Sequence, residues 1–333
     1  MIMRKLLVTG GAGFIGYHLA RSLIARGDAV DILDNHGRGV RDGALLELLA
    51  RPNIRMLEAD LCRPGLAGEL DADYDVIVHL AAIIGVAHVR ARPYEVLTAN
   101  VAMLETALAL ARRQNRLSRF VFASTSEIYA GTLYSFGIPI PTPESTPLTA
   151  GDLAEPRTSY MLSKLYGEAL CRFSGVPFTI LRFHNVYGPR MGMSHVIPQL
   201  LEKAHRLPAG EEPLVVASVD HRRSFCYVDD AVEQLLRMAA LPACANDTFN
   251  IGTQSPEVRI GDLARVILDC VGRGNPVVAG PETPGSPSRR APDMTKAIAA
   301  TGYRSRVDLA DGVRLTYDWY RDHVFENTEL CAV

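Results

Sequence analysis

The stretch "RKLLVTGGAGFIGYHLARSLIARG" sets a short apolar strand, a glycine-rich turn and an amphipathic helix in immediate succession. Few arrangements restrict a fold more. Gly10, Gly13 and Gly16 follow a G-x-x-G-x-x-G spacing at the turn, with Phe14 and Ile15 in the first helical residues between them. The chain can then reverse tightly, leave bare backbone exposed to an anion, and start a helix whose free N–H groups and dipole face it. A second apolar run, "AVDILDN", ends on Asp34 and Asn35.

A strand–glycine turn–helix unit followed by an acidic residue at the next strand end is the pattern of a dinucleotide site. A carboxylate at position 34 accepts hydrogen bonds from ribose hydroxyls and repels a 2′-phosphate, which favours NAD over NADP. Arg38 and Arg41 pull the other way, because an arginine can hold the extra phosphate. Asp60 and Leu61 at the end of "NIRMLEADL", Ala81 and Ala82 at the end of "DVIVHLAA", and Asn100 in the long helix that follows complete the expected cofactor set. Small residues at the carboxyl ends of parallel strands leave room for a ligand lying across them.

Further strand-like runs, "RFVFAST" and "PFTILRF", alternate with helical ones, including "PYEVLTANVAMLETALALARRQN". This alternation predicts an α/β fold: a Rossmann-type, doubly wound parallel sheet covered on both faces. After about residue 185 prolines and glycines become frequent. The expected division is a dinucleotide-binding domain over 1–183 and a smaller mixed α/β lobe over 184–333, some of whose segments return to the main sheet.

The composition removes several function classes. A formal charge of −2 gives no basic footprint for nucleic acid. No run of 18 apolar residues appears, so no membrane span is expected. The six cysteines, Cys62, Cys171, Cys226, Cys244, Cys270 and Cys331, show neither paired nor metal-ligand spacing. They read as incidental thiols of a cytoplasmic protein, with no metal.

In "AEPRTSYMLSKLYGEALCRFSG", Tyr160 and Lys164 lie four apart and share a helix face. That spacing fits a solvated surface pair. It also fits a phenol and an ammonium aimed at one oxygen, and the strand end "FASTSEIY" favours the second reading by supplying Ser124, Thr125 and Ser126 nearby. A tyrosine ordinarily titrates near 10 and is a poor base at neutral pH; a neighbouring ammonium and a positive nicotinamide favour its phenolate. Tyr160 would take a hydroxyl proton while the carbon beneath gives hydride to NAD, and Thr125 would hold the same oxygen.

With "TGGAGFIG", "HLAA", "STSEIY", the Tyr160–Lys164 pair, "LRFHNVYGPR" and "RRSFCYVDD" all present, nearly the whole chain resembles an extended short-chain dehydrogenase/reductase of the NAD-dependent nucleotide-sugar epimerase/dehydratase branch. The resemblance implies catalytic roles for Thr125, Tyr160 and Lys164. It also implies a nucleoside-diphosphate sugar held in the C-terminal lobe, with Asn185, Arg223 and Arg290 toward the diphosphate and the base-binding segment starting at Val196. Pairing of the helices at 93–113 and 158–173 with their copies in a homodimer is expected on the same ground.

The residues after Thr125 bear on the reaction. Family 4,6-dehydratases carry an Asp–Glu pair there, and this chain has Ser126 and Glu127. The missing Asp argues against an ordinary 4,6-dehydratase. The retained Glu127 exceeds what a C4 epimerase needs and resembles the nucleotide-glucuronate decarboxylases, although it also suits a structural role. The expectation is an epimerase that oxidises the sugar, at C4, to a 4-keto intermediate and returns the hydride with inversion. The alternative is a dehydratase or a hexuronate decarboxylase using Glu127 on the same intermediate, and the remote one a non-catalytic NAD-binding sensor. Tyr134 and Phe136 in the long connection after the strand, and His88, His184 and His195, are further candidates for the pocket; Tyr134 and Phe136 equally suit packing of that connection, and His88 suits a non-catalytic polar contact better than an acid or base.

Overall fold

The computed structural model describes residues 3–326; Cys331 lies outside them. Strands β1 (Lys5–Thr9), β2 (Ala29–Asp34), β3 (Ile54–Glu58), β4 (Val76–His79), β5 (Arg119–Thr125) and β6 (Phe178–Phe183) form one parallel sheet in the order β6-β5-β4-β1-β2-β3. A seventh strand, Asp247–Ile251, returns from the second lobe and pairs in parallel with β6, Asp247 opposite Thr179 and Ile251 opposite Phe183. The order reverses between β1 and β4, which places a ligand crevice at their carboxyl ends.

Alternation along the strands divides the core. Leu6, Val8, Val30, Ile32, Val76, Val78, Val121 and Leu181 face one side, against the helices Phe14–Ala25 and Val228–Ala240. Leu7, Leu33, Ile77, Phe120, Phe122 and Ile180 face the other, against Pro93–Arg112 and Thr158–Phe173. With both faces covered, these strands read as continuous apolar runs. Each side chain so buried contributes about 1.5–3 kcal/mol.

Gly167 lets the helix Thr158–Phe173 sit close on the sheet. A Cβ there would stand 2.5 Å from the Phe122 ring and 3.0 Å from Leu104. This approach sets Lys164, one turn earlier, onto the end of β5.

The second lobe holds short strand pairs and helices. Its three-stranded patch puts Arg222–Arg223 between Val258–Arg259, antiparallel, and Arg289–Arg290, parallel, with Arg223 opposite Arg290. Two arginines distant in sequence thus become neighbours. Among the described residues no helix is long and apolar enough to cross a membrane, and no cluster of three or more His, Cys, Asp or Glu is placed to hold a metal. The described cysteines are free thiols, with Cys171, Cys226 and Cys244 buried.

Candidate active site

The glycine turn has the shape the spacing predicts. Gly10 adopts a positive φ of 70°, and a Cβ there would come within 2.7 Å of the Ala81 backbone nitrogen. A Cβ on Gly16 would run into the Gly10 carbonyl and the Gly11 Cα. Backbone therefore meets backbone, and the N-terminus of the helix Phe14–Ala25 opens on the crevice. Asp34 accepts from the Ala12 N–H at 3.0 Å and the His36 N–H at 2.9 Å, one on each oxygen. Each oxygen keeps a lone pair for a ribose hydroxyl, so the residues fit an NAD adenosine.

Asp60 turns its carboxylate to the Cys62 N–H at 2.8 Å. Leu61 is buried. Ala81 and Ala82 follow β4. Asn100 serves the loop beside them: its carbonyl accepts from the Ile83 N–H at 2.7 Å and its amide donates to the Ile83 carbonyl at 3.1 Å. Asn100 thereby fixes the rim of the crevice from behind. Arg38 donates to the Ile84 carbonyl across the same rim, and Arg41 pairs with Glu58 at 3.0 Å.

Thr125 ends β5, and its Oγ accepts from the Glu127 N–H at 3.2 Å. Tyr160 faces it. Burial raises the Tyr160 phenol; the Thr125 hydroxyl and Arg38 oppose the rise, and the Glu127 charge adds to it. Lys164 is buried, donates to the Ala123 carbonyl at 2.8 Å, and lies 4.9 Å above the Phe122 ring. Burial lowers its ammonium to about 8. Its nitrogen stands 5.9 Å from the centre of the Tyr160 ring. Phenol and ammonium thus share one wall, the ammonium buried and the phenol half-buried, and the protein alone does not make the phenolate.

Glu127 is the most heavily bracketed carboxylate of the site. Its Oε1 lies 2.7 Å from an Arg290 Nη, and its Oε2 accepts from Arg157 at 3.2 Å. Burial pushes its carboxyl up, but the charges of Arg290 and Arg157, and of Arg223 beyond them, outweigh this and hold it below the usual range. Ser126 is buried, with its Oγ 3.5 Å from Arg290. Arg290 therefore points at the Ser126–Glu127 end of the crevice.

Arg223 stands beside it, lowered to about 10 by burial and by Arg290. Its nitrogens donate to the Arg222 carbonyl at 2.7 Å, the Ser286 hydroxyl at 2.8 Å and the Pro287 carbonyl at 2.7 Å. Asn185, at a positive φ of 39°, donates to the Ser224 carbonyl at 3.2 Å. Val196 begins the helix Val196–Arg206.

The histidines divide. His184 is buried against Asn250 at 3.1 Å and lowered to about 3, chiefly by burial, so it stays neutral. His195 precedes the helix Val196–Arg206, and burial and Arg38 lower it. The buried His88 Nε2 has no hydrogen-bond partner. The long connection after β5 contains a helix, Ala130–Phe136; its Tyr134 hydroxyl donates to the Gly285 carbonyl at 2.9 Å, and Phe136 is exposed. Sequence reasoning passed over Arg157. The only local signal for it was its place three residues before Tyr160, just ahead of the helix.

Comparison with known proteins places nearly the whole chain among related folds. The model of the "NAD dependent epimerase/dehydratase family" matches residues 6–252. The chain is 32% identical over 332 residues to a UDP-N-acetyl-alpha-D-glucosaminuronate decarboxylase of Bacillus cytotoxicus, covering 96% of this chain and 98% of the relative. In structure it is similar to the UDP-glucose 4-epimerase of Thermotoga maritima solved with UDP-glucose (TM-score 0.80, 27% identity, 96% and 99% covered). It is similar also to a dTDP-glucose 4,6-dehydratase of Streptomyces venezuelae solved with NAD (TM-score 0.79, 30% identity, 96% and 97% covered). The glycine cradle, the Thr125–Tyr160–Lys164 wall and the match along most of its length together mean that the chain belongs to the NAD-dependent epimerase/dehydratase family.

Proposed function

We propose that this chain is an NAD-dependent decarboxylase of a nucleoside-diphosphate hexuronate. One observation carries the reading: beside Thr125, Arg157 and Arg290 bracket the single carboxylate of Glu127, with Arg223 behind them. Cationic charge exceeds anionic charge at the sugar end of the crevice, which suits a sugar bearing a C6 carboxylate. The relative at 32% identity along the whole chain is a decarboxylase. These facts move the weight from C4 epimerisation, the first expectation, to its alternative.

Bound NAD supplies the hydride acceptor and a positive charge beside Tyr160. Tyr160 takes the proton of the C4 hydroxyl as its C–H electron pair leaves as hydride. Thr125 holds the C4 oxygen through the change. The product is a β-keto acid. Its C5–C6 bond breaks, carbon dioxide departs, and the electron pair moves to the C4 oxygen. Glu127, ionised between its arginines, orients the water that protonates C5, and the hydroxide left behind combines with the departing carbon dioxide as bicarbonate. Tyr160 then returns its proton to the C4 oxygen as the hydride comes back to C4. The sequence is redox-neutral and yields a nucleotide pentose. Arg223 and Asn185 support the wall where the diphosphate lies.

The enzyme acts as a homodimer on this reading. The packed helices Pro93–Arg112 and Thr158–Phe173 leave Tyr94, Tyr166 and Phe173 exposed, and light scattering on the purified protein tests the assembly.

The reaction test is incubation with UDP-glucuronate, UDP-N-acetylglucosaminuronate and UDP-glucose in deuterated water. A pentose nucleotide carrying one deuterium at C5 supports decarboxylation. An undeuterated isomer of unchanged mass overturns it in favour of C4 epimerisation.

A further inference from the structure

We propose that Arg157 is a positioning residue that ties closure of the segment Pro281–Ser288 over the sugar site to the placement of Glu127. The proposal rests on the decarboxylase reading only in the task it gives Glu127.

The geometry is a shared guanidinium. One terminal nitrogen of Arg157 donates to Glu127 Oε2 at 3.2 Å, and the other donates to the Gly285 carbonyl at 2.7 Å. That carbonyl also accepts from the Tyr134 hydroxyl at 2.9 Å. Arg223 grips the next two residues, through the Ser286 hydroxyl and the Pro287 carbonyl. Pro287 lines a small hollow together with Ser126, His184 and Arg290, so the segment stands over the candidate site.

Little else holds the middle of this segment, residues 284–287. Its sequence, "PETPGSPS", offers no large apolar side chain to bury, and residues 281–285 are exposed. Ser218 holds one end, its hydroxyl accepting from the Thr283 N–H at 2.8 Å and its N–H donating to the Pro281 carbonyl at 3.3 Å, and the Arg222 N–H holds the other at the Ser288 carbonyl, 2.7 Å. Between these ends, residues 284–287 are seated by polar bonds from Tyr134, Arg157 and Arg223. Lifting it to admit a sugar nucleotide removes one partner of Arg157, whose long side chain is then free to swing from Glu127. Four groups face Glu127: Arg157, Arg290 and Arg223 as cations, and Tyr160. With Arg157 gone, Arg290 is the one cation left in direct contact, and the Glu127 carboxyl titrates higher. A closed segment therefore means a fully bracketed, ionised Glu127.

Arg157→Lys keeps the charge but not the planar fork that reaches two acceptors at once. Arg157→Gln removes both. Tyr134→Phe loosens the segment without touching Glu127. Two readouts apply to the NAD-loaded protein: hydrogen exchange at 281–288, and the Glu127 titration by carbon-13 NMR together with the acid limb of turnover. Both arginine variants are expected to speed exchange at 281–288 about tenfold or more. Arg157→Gln should also move the Glu127 titration up by about one pH unit, Arg157→Lys by much less, and Tyr134→Phe should speed exchange and, through the freed Arg157, move the titration in the same direction by less than Arg157→Gln. Unchanged exchange and an unchanged Glu127 titration in Arg157→Gln overturn the proposal; a lowered melting temperature without either change assigns Arg157 a merely structural role. Exchange and NMR need no turnover. If both move as expected while no sugar nucleotide loses carbon dioxide, the decarboxylase reading falls and the coupling stands.

Discussion

Arg182 and Glu168 meet as a bidentate pair almost wholly out of solvent, with Nε to Oε1 at 2.9 Å and Nη2 to Oε2 at 2.8 Å, the side chains 4% and 5% exposed. The pair lies directly behind β5. Ser124 donates to the same Glu168 oxygen at 2.7 Å, and Arg182 reaches on to the Tyr129 hydroxyl at 2.8 Å and the Glu144 carbonyl at 3.0 Å. Glu168→Ala leaves a guanidinium buried without its counter-charge, and the expected loss is about 3–5 kcal/mol in urea unfolding. Replacing both residues by methionine should recover most of it, because the charge and its partner leave together. A loss in the double variant as large as in the single one would mean that the Tyr129 and Glu144 contacts matter more than the pair.

Lys164 links pH to stability. Burial lowers its folded pKa to about 8, below its value of about 10.4 in an unfolded chain. Below pH 8 both states are protonated and the folded state carries the full cost of a buried charge. Above about pH 10.4 both are neutral and the cost is gone. The Lys164 contribution to stability should therefore rise between these limits, by on the order of 3 kcal/mol. Lys164→Met should flatten the rise in a denaturation series across that range.

Gly16→Val should spare the fold and weaken NAD. Its Cβ meets the Gly10 carbonyl and Gly11, so the turn must shift and its N–H groups leave the pyrophosphate. Calorimetry should show NAD affinity reduced by about tenfold to a hundredfold, roughly 1.4–2.8 kcal/mol. Far-ultraviolet circular dichroism should be unchanged.

Tyr160→Phe should cut turnover by about two to four powers of ten, the usual weight of a positioned acid–base group. NAD should remain bound, because the phenyl ring keeps the packing and loses only the hydroxyl facing Thr125. Turnover near the parent rate would assign the proton transfer to another group.

Local sequence carried the parts of the site that local sequence builds. The glycine turn lies within one strand and one helix, so spacing alone exposes it. Tyr160 and Lys164 share a face because they are one helical turn apart. Arg157 was harder to read, because its meaning depends on Glu127, 30 residues earlier, and Gly285, 128 later. Arg290 packs on Ser126 and Glu127 through the register that sets it opposite Arg223, a tertiary fact with no trace in the local sequence. The Arg190–Asp42 pair at 2.8 Å, which pins the loop after β2 to the second lobe, spans 148 residues and has no periodic trace. Sequence patterns report neighbours along the chain, whereas charge brackets are made by neighbours in space.

The strand Asp247–Ile251 has a consequence for how such a chain can change. It leaves the second lobe, closes the edge of β6, and hands the chain back through Asn250, whose amide holds Thr142 and Asp293. A chain cut at residue 183 would present β6 as a bare apolar edge, open to pairing with other molecules. The two lobes are thus sewn together, and neither can be exchanged like a cassette. New specificities on this scaffold must come from point replacements and loop insertions around Glu127 and its arginines, with the seam left intact.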